Sequence, residues 1–298
     1  MKYSQHSVGL LAALGAFVAW GMAPVYFKFL GQVGADEIIA HRVLWSVVVL
    51  ALVLLIRDGA ALPRRLVLAP RTLAALLLSG SLIVVNWLIF IYAVNTDRVL
   101  STSLGYFINP LVTVLFGVIF FREKLAVLQV IGVAIAALGT LYMALRVGQF
   151  PWIALGLALS FALYSVVRKV LDVGPMIGLF WETLLMAPLA LIWLVWLAGN
   201  TRLAFDPAEL DLALLLAGTG LVTVIPLLLF AAGVRRLPLS TIGVMQYLAP
   251  TITFVLAVFV YAEPFSIDHA VTFACIWIGL FLFSWAGWVR IRRTRIPV

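Results

Sequence analysis

SLGYFINPLVTVLFG, residues 103–117, and GVMQYLAPTITFVLA, residues 243–257, stand 140 positions apart and align without a gap. Pro110 meets Pro250 and Thr113 meets Thr253. The same offset pairs Phe90 with Phe230, Ser101 with Thr241, Tyr106 with Gln246, Phe107 with Tyr247, Glu123 with Glu263 and Gly139 with Gly279. Neither stretch carries a charge, and each lies in an apolar run of the ~20 residues that cross a bilayer as a helix. Chance likeness between apolar helices is the competing explanation. A proline, a glutamate and a glycine matching at one offset weigh against it, so we read an internal repeat of membrane helices.

The rest of the chain has the composition this requires. Of 298 residues, 65% are hydrophobic and 11% charged, where a soluble domain carries about a quarter charged residues. Charges and prolines punctuate apolar spans at 8–29, 38–56, 73–95, 99–121, 126–145, 151–170, 175–198, 210–234, 239–262 and 268–289. Open sheets leave unsatisfied edges in hydrocarbon, and the alternating pattern of a membrane barrel is absent. The expected fold is therefore all-α integral membrane, with ten transmembrane helices as two inverted five-helix repeats, residues 1–146 and 147–298. Five is odd, so the second copy enters the membrane from the opposite side. The apolar stretch after Lys2, from Val8 to about Phe27, is longer than a signal-peptide core and is read as a retained first span.

Positive charge gives the orientation. Lys28, Arg42, Arg98, Arg146 and Arg202 fall on one side, and the other fifteen of the 20 Lys and Arg fall on the side of the amino terminus. Both termini are expected to be cytoplasmic in a bacterial inner membrane. The net charge of +8 is thus an orientation signal rather than a nucleic-acid surface. One cysteine, Cys275, and three histidines leave no disulfide, metal cluster or cofactor to expect. The chain lacks the phosphate-binding G-x-x-x-x-G-K-[ST], the zinc-binding H-E-x-x-H and the nucleophile elbow G-x-S-x-G, so it is expected not to be an enzyme.

Candidate site residues follow from polarity at depth. Ser103, Tyr106, Pro110, Thr113 and Gly117 are spaced three and four apart, on one face of span 4. Gly243, Gln246, Pro250, Thr253 and Ala257 repeat that face on span 9. Small and polar residues there suit close helix packing or a substrate path, and Pro110 and Pro250 are expected to bend their helices. Of the twelve acidic residues only Glu182 lies well inside a span, which makes it a candidate for proton coupling or for a structural ion pair. His41 and Arg42 stand opposite Trp181 and Glu182 in the repeat. Arg42 is a candidate for an anionic substrate group, or it snorkels to the interface. Trp20, Asn86, Trp87, Asn95, Asn109, Tyr164 and Tyr247 complete the candidate cavity. Gly132, Gly139 and Gly279 on spans 5 and 10 suit packing or a homodimer contact.

WGMAPVYFKFL from Trp20, EIIAHRVLWS from Glu37, NWLIFIYAVNTDRVL from Asn86, YSVVRK from Tyr164, ETLLMAP from Glu182 and RRLPLSTIGVMQYLAP from Arg235, with the stretch at 103–117, resemble the EamA-type group of the drug/metabolite transporter superfamily. The resemblance implies ten spans, an inverted five-plus-five repeat and transport of small metabolites. It also implies recurrent polar positions at His41, Arg42, Asn86, Trp87, Asn95, Tyr106, Asn109, Arg168, Lys169, Glu182, Gln246 and Tyr247. Ser101 and Thr113 depart from the implied pattern, which has glutamate and asparagine there. The expected partners are a small-molecule substrate and the lipid bilayer. A membrane-embedded enzyme on a lipid-linked substrate and a non-transporting sensor or assembly protein are the rival readings.

Overall fold

The computed structural model describes residues 5–95, 99–147, 152–207, 209–261 and 266–294, with the side chains of Asn95, Ser101 and Ser103 outside the described set. The regular elements among the described residues are helices: α1 (Gln5–Lys28), α2 (Ala35–Asp58), a short α3 (Leu62–Leu66), α4 (Pro70–Asn95), α5 (Val99–Phe121), α6 (Val127–Val147), α7 (Trp152–Val170), α8 (Pro175–Gly199), α9 (Leu210–Val234), α10 (Leu239–Gln246), α11 (Leu248–Val255) and α12 (Ile267–Thr294). No strand occurs among the described residues. Among the described residues, nine segments are long and apolar enough to cross a membrane, one of them α10, α11 and the following turn taken together as Leu239–Val260; the Gly105–Phe121 stretch of α5 is a shorter apolar helix. Ile56, Leu145, Ile192 and Phe259 are left exposed, as a bundle whose outer solvent is lipid requires. The protein is an all-α integral membrane protein of ten membrane helices.

The repeat is written into the helix boundaries. Helices α2 and α8 begin at Ala35 and Pro175, α4 and α9 at Pro70 and Leu210, α5 and α10 at Val99 and Leu239, and α6 and α12 at Val127 and Ile267. Each pair of first residues is 140 apart. The caps agree as well: Gly34 (φ −57°, ψ 137°) and Gly174 (φ −55°, ψ 146°) hold the same extended conformation before α2 and α8. Proline at the start of α4 and α8 costs nothing, because the first helical N–H groups have no partner within the helix.

The two copies are not identical. Helix α5 runs unbroken through Pro110, whereas its equivalent breaks at Tyr247 and ends in a π-helical turn, Leu256–Val260. Pro250 has no N–H to donate, and its ring crowds the carbonyl of Gln246 four residues back. The proline is common to both copies and the break is not, so surrounding contacts decide whether the helix stays whole.

Two compact units arise, one from Met1–Tyr92 with Leu163–Leu237, the other from Ala93–Ala162 with Pro238–Val298. In the first, α2 packs on α8 and α9, and α1 on α9. In the second, α6 packs on α12 and α5 on α10. Each unit thus contains helices from both copies of the repeat. In the second unit the α6–α12 contact is reciprocal. A Cβ on Gly132 would stand 2.6 Å from the carbonyl oxygen of Gly279, and one on Gly139 would stand 3.2 Å from that of Thr272. Thr272 is the repeat equivalent of Gly132, and Gly279 that of Gly139. When i touches the equivalent of j, and j the equivalent of i, the packing has two-fold character.

Candidate functional site

In the first unit, a fully buried ion pair lies in the helix interior. Glu182 on α8 and Arg168 on α7 are 2% and 1% exposed, with Nη1 of the arginine 3.3 Å from Oε1 of the carboxylate. Ser79 on α4 donates its hydroxyl to the same oxygen at 2.6 Å. Arg168 also donates to the carbonyl of Pro175 at 3.3 Å. Glycines make the room: a Cβ on Gly178 would collide with the Arg168 guanidinium, and one on Gly80 would stand 3.1 Å from the Glu182 carbonyl oxygen. Oε2 of Glu182 and Nε of Arg168 have no hydrogen-bond partner among the described residues. Dehydrating two charges costs several kcal/mol each, so this pair persists only because each neutralises the other.

The repeat equivalent of Glu182 is Arg42, on α2. Its guanidinium lies 4.5 Å from the ring centre of Trp87 and 5.4 Å from that of Phe27. Its Nε donates to the hydroxyl of Thr223 on α9 at 2.9 Å. Each charged position therefore takes a hydroxyl from a neighbouring helix, Ser79 for Glu182 and Thr223 for Arg42. Arg42 differs in being half-buried and flanked by aromatic faces.

His41, the next residue back, turns elsewhere. It is buried against Phe205, with ring centres 5.1 Å apart, and its Nε2 is 3.7 Å from Glu37. Glu37 accepts the backbone N–H groups of Ala204 and Phe205, both at 2.8 Å. This trio fastens the loop before α9 to the start of α2. Trp20 and Tyr164 belong to one aromatic cluster, each against Phe230 at 5.5 and 6.0 Å. Asn86 is half-buried on α4 beside Trp87.

In the second unit, Thr113 on α5 and Gln246 on α10 pair through their side chains at 3.2–3.3 Å, both buried. Tyr247 donates its hydroxyl to the carbonyl of Phe107 at 3.2 Å. Those two positions are repeat equivalents, and equivalents that touch lie at the pseudo-two-fold of their unit. Pro110 is buried one turn along and Pro250 half-buried. Asn109 is half-buried, with an Oδ1 that no described residue satisfies, and Tyr106 is 51% exposed. Asn95 and Ser103 lie outside the described side chains.

The candidates thus assemble as Arg42 with Trp87, Trp20 with Tyr164, and Gln246 beside Tyr247. Sequence reading passed over Arg168 as the partner of Glu182, and Ser79, Phe27 and Thr223 as supports. Arg168 is at the last turn of α7, where a cation resembles an interfacial anchor. Its inward turn had one signal, Gly178 one helical turn before Glu182. No group of three or more His, Cys, Asp or Glu that could hold a metal ion occurs among the described residues.

A repeat of five membrane helices with polar side chains inside the bundle defines a class, the polytopic carriers built by duplication. The chain matches the EamA-like transporter family over residues 7–145 and again over 151–285, and it belongs to that family. It is 44% identical over 279 residues to an uncharacterized transporter of Vibrio cholerae serotype O1, covering 94% of this chain and 92% of that one. It is 42% identical over 294 residues to the protein RarD of Escherichia coli strain K12, covering 99% of each. A crystal structure 19% identical in sequence shares the fold, with a TM-score of 0.74 over 94% of this chain and 98% of that one.

Proposed function

We propose that the protein is a secondary transporter of small metabolites or drugs, an exporter working by alternating access around a midplane cavity in the bacterial inner membrane. The observation that carries this reading is the repeat, seen as helix starts 140 residues apart and as reciprocal α6–α12 packing. Two copies inserted in opposite senses, residues 1–146 and 147–298 with both termini cytoplasmic, provide two states of the same architecture, one open to each side. Equivalent contacts that differ support it further. Gly80 packs on Glu182, the equivalent of Arg42, whereas Gly220 packs on Trp45, about one turn on. A repeat in one of two alternating states has such an offset between its halves.

In this reading Trp20, His41, Arg42, Asn86, Trp87, Asn95, Ser103, Tyr106, Asn109, Tyr164, Gln246 and Tyr247 are the residues that meet substrate or shape its path, and Pro110 and Pro250 set the bends. Glu182 is the coupling group, held between turnovers by Arg168 and Ser79. The test is flux of a metabolite panel in proteoliposomes, with and without an imposed pH gradient, for the natural chain and Glu182→Gln. Saturable outward flux that the gradient drives, and that the variant loses, is the expected result. Absence of saturable flux for every compound rejects transport, and undiminished gradient-driven flux in Glu182→Gln rejects proton coupling through that residue.

A further inference from the structure

We propose that the connector between α2 and α4 is a docking surface for acidic phospholipid, whose headgroup phosphate its arginines hold. The proposal is independent of the transport reading. Helix α2 has 24 residues, ~36 Å at 1.5 Å per residue, more than the ~30 Å of a bilayer's hydrocarbon core. Its last turn and α3 therefore reach the headgroup layer. Ile56 and Val67, 86% and 79% exposed, are the most exposed large hydrophobic side chains among the described residues. Arg57, Arg64, Arg65 and Arg71 stand among them and are exposed as well. Apolar side chains beside cations suit an element that lies in the interface, with the former in the acyl boundary and the latter among headgroups.

The structure gathers these cations. The Asp58 carboxylate accepts Nε and Nη2 of Arg57 at 2.8 and 2.7 Å and Nη1 of Arg65 at 2.8 Å. One carboxylate between two guanidiniums leaves a positive charge, and neither Arg64 nor Arg71 makes an ion pair among the described residues. Helix α8 holds the connector in place: Nε1 of Trp181 donates to the Leu66 carbonyl at 3.2 Å, and Nη1 of Arg57 meets the Met176 sulfur at 3.3 Å. A surface fixed beforehand loses little freedom on binding, and guanidinium forks match the oxygens of a phosphate. The repeat shows that the helices themselves do not need the arginines. The equivalents of 57, 64, 65 and 71 are Leu197, Ala204, Phe205 and Asp211, and that connector sets Arg202 against Asp206, Glu209 and Asp211. Its Ala204 and Phe205 turn inward, giving their N–H groups to Glu37. Orienting the chain requires only that the cations lie on one side. Their gathering at Asp58, beside Ile56 and Val67, is more than orientation requires.

Dioleoylphosphatidylglycerol and dioleoylphosphatidylcholine share their acyl chains and differ in headgroup charge, so they serve as probes. Native mass spectrometry of the full chain, titrated with each in detergent, is expected to show the glycerol lipid binding about tenfold tighter; each arginine near an anionic headgroup contributes about fivefold. Arg64→Gln combined with Arg71→Gln should abolish the preference. Arg122→Gln combined with Lys124→Gln removes the same charge elsewhere and should leave it. Hydrogen exchange of the natural chain in nanodiscs locates the site without any variant: phosphatidylglycerol should slow exchange at residues 59–67 relative to phosphatidylcholine and leave residues 199–206 unchanged. Equal binding of the two lipids, a preference that survives loss of Arg64 and Arg71 in a monodisperse protein, or no added protection at 59–67 overturns the proposal. Inorganic phosphate that protects 59–67 as fully as the lipid overturns it too, because the surface would then read a free anion rather than a bilayer.

Discussion

Arg168 and Glu182 neutralise each other in the buried interior of the first unit. Removing one charge strands the other, so Arg168→Gln or Glu182→Gln alone should destabilise the fold by about 3–5 kcal/mol. Removing both together should restore most of it. Unfolding temperatures of the three variants in one detergent test this; a double variant no more stable than the worse single would show that the charges do not act as a pair. Gly178→Ala probes the same spot sterically. Its methyl would occupy the place of the guanidinium, so it should lower stability about as much as loss of Arg168. His41 carries less: it rests against Phe205 and Glu37 in a contact that fastens a loop.

At the scale of elements, the second unit depends on backbone approach. The α6–α12 contact brings Gly132 and Gly279 together at distances no side chain fits. Gly279→Leu should force the helices apart and cost about 1–3 kcal/mol, the usual range for overpacking. A Cβ on Gly287 of the same helix would meet nothing within 4 Å, so Gly287→Leu should be near neutral. Equal thermal stability of the two variants would contradict the contact. The far end of α5 has a second device. Arg122 adopts a positive φ of 51°, and Glu123 then accepts the first N–H groups of α10, from Leu239 at 2.5 Å and Ser240 at 2.8 Å. A carboxylate there satisfies orphan donors and meets the positive end of the helix. Glu123→Ala should cost about 1–2 kcal/mol, and hydrogen exchange should show it as faster opening at the start of α10. Unchanged exchange at residues 239–242 would rule out the cap.

For the whole molecule, the arrangement in the membrane is the property to measure. In a Cys275→Ser background, Arg64→Cys and Arg295→Cys should react with an impermeant thiol reagent only from the cytoplasmic side, and Arg202→Cys only from the outside. Finding Arg64→Cys and Arg295→Cys on opposite sides would break the even span count and the inverted repeat with it.

What could be read beforehand divides along physical lines. Helix boundaries were legible to within a few residues, because the bilayer sets a length and charges punctuate it. The spans at 99–121 and 210–234 match α5 and α9 to the residue. The offset of 140 was legible too, from Pro110 and Pro250 and from Glu123 and Glu263. The different fates of the two prolines were not. Nothing local says that α5 continues while its equivalent breaks at Tyr247.

The site was less legible than the fold. Glu182 was conspicuous as the acid inside a span, and Arg42 as its opposite number, because charge in hydrocarbon is rare enough to stand out. Which groups answer those charges depended on which helices become neighbours. Composition and periodicity specify how far each segment runs and that it lies in lipid. They do not specify that α7 turns Arg168 toward α8, or that α1, α4 and α9 converge on Arg42. Apolar helices pack against one another through shape alone in lipid, with little hydrophobic preference among partners. The pairing of charges, hydroxyls and glycines across helices was therefore settled only in the folded molecule.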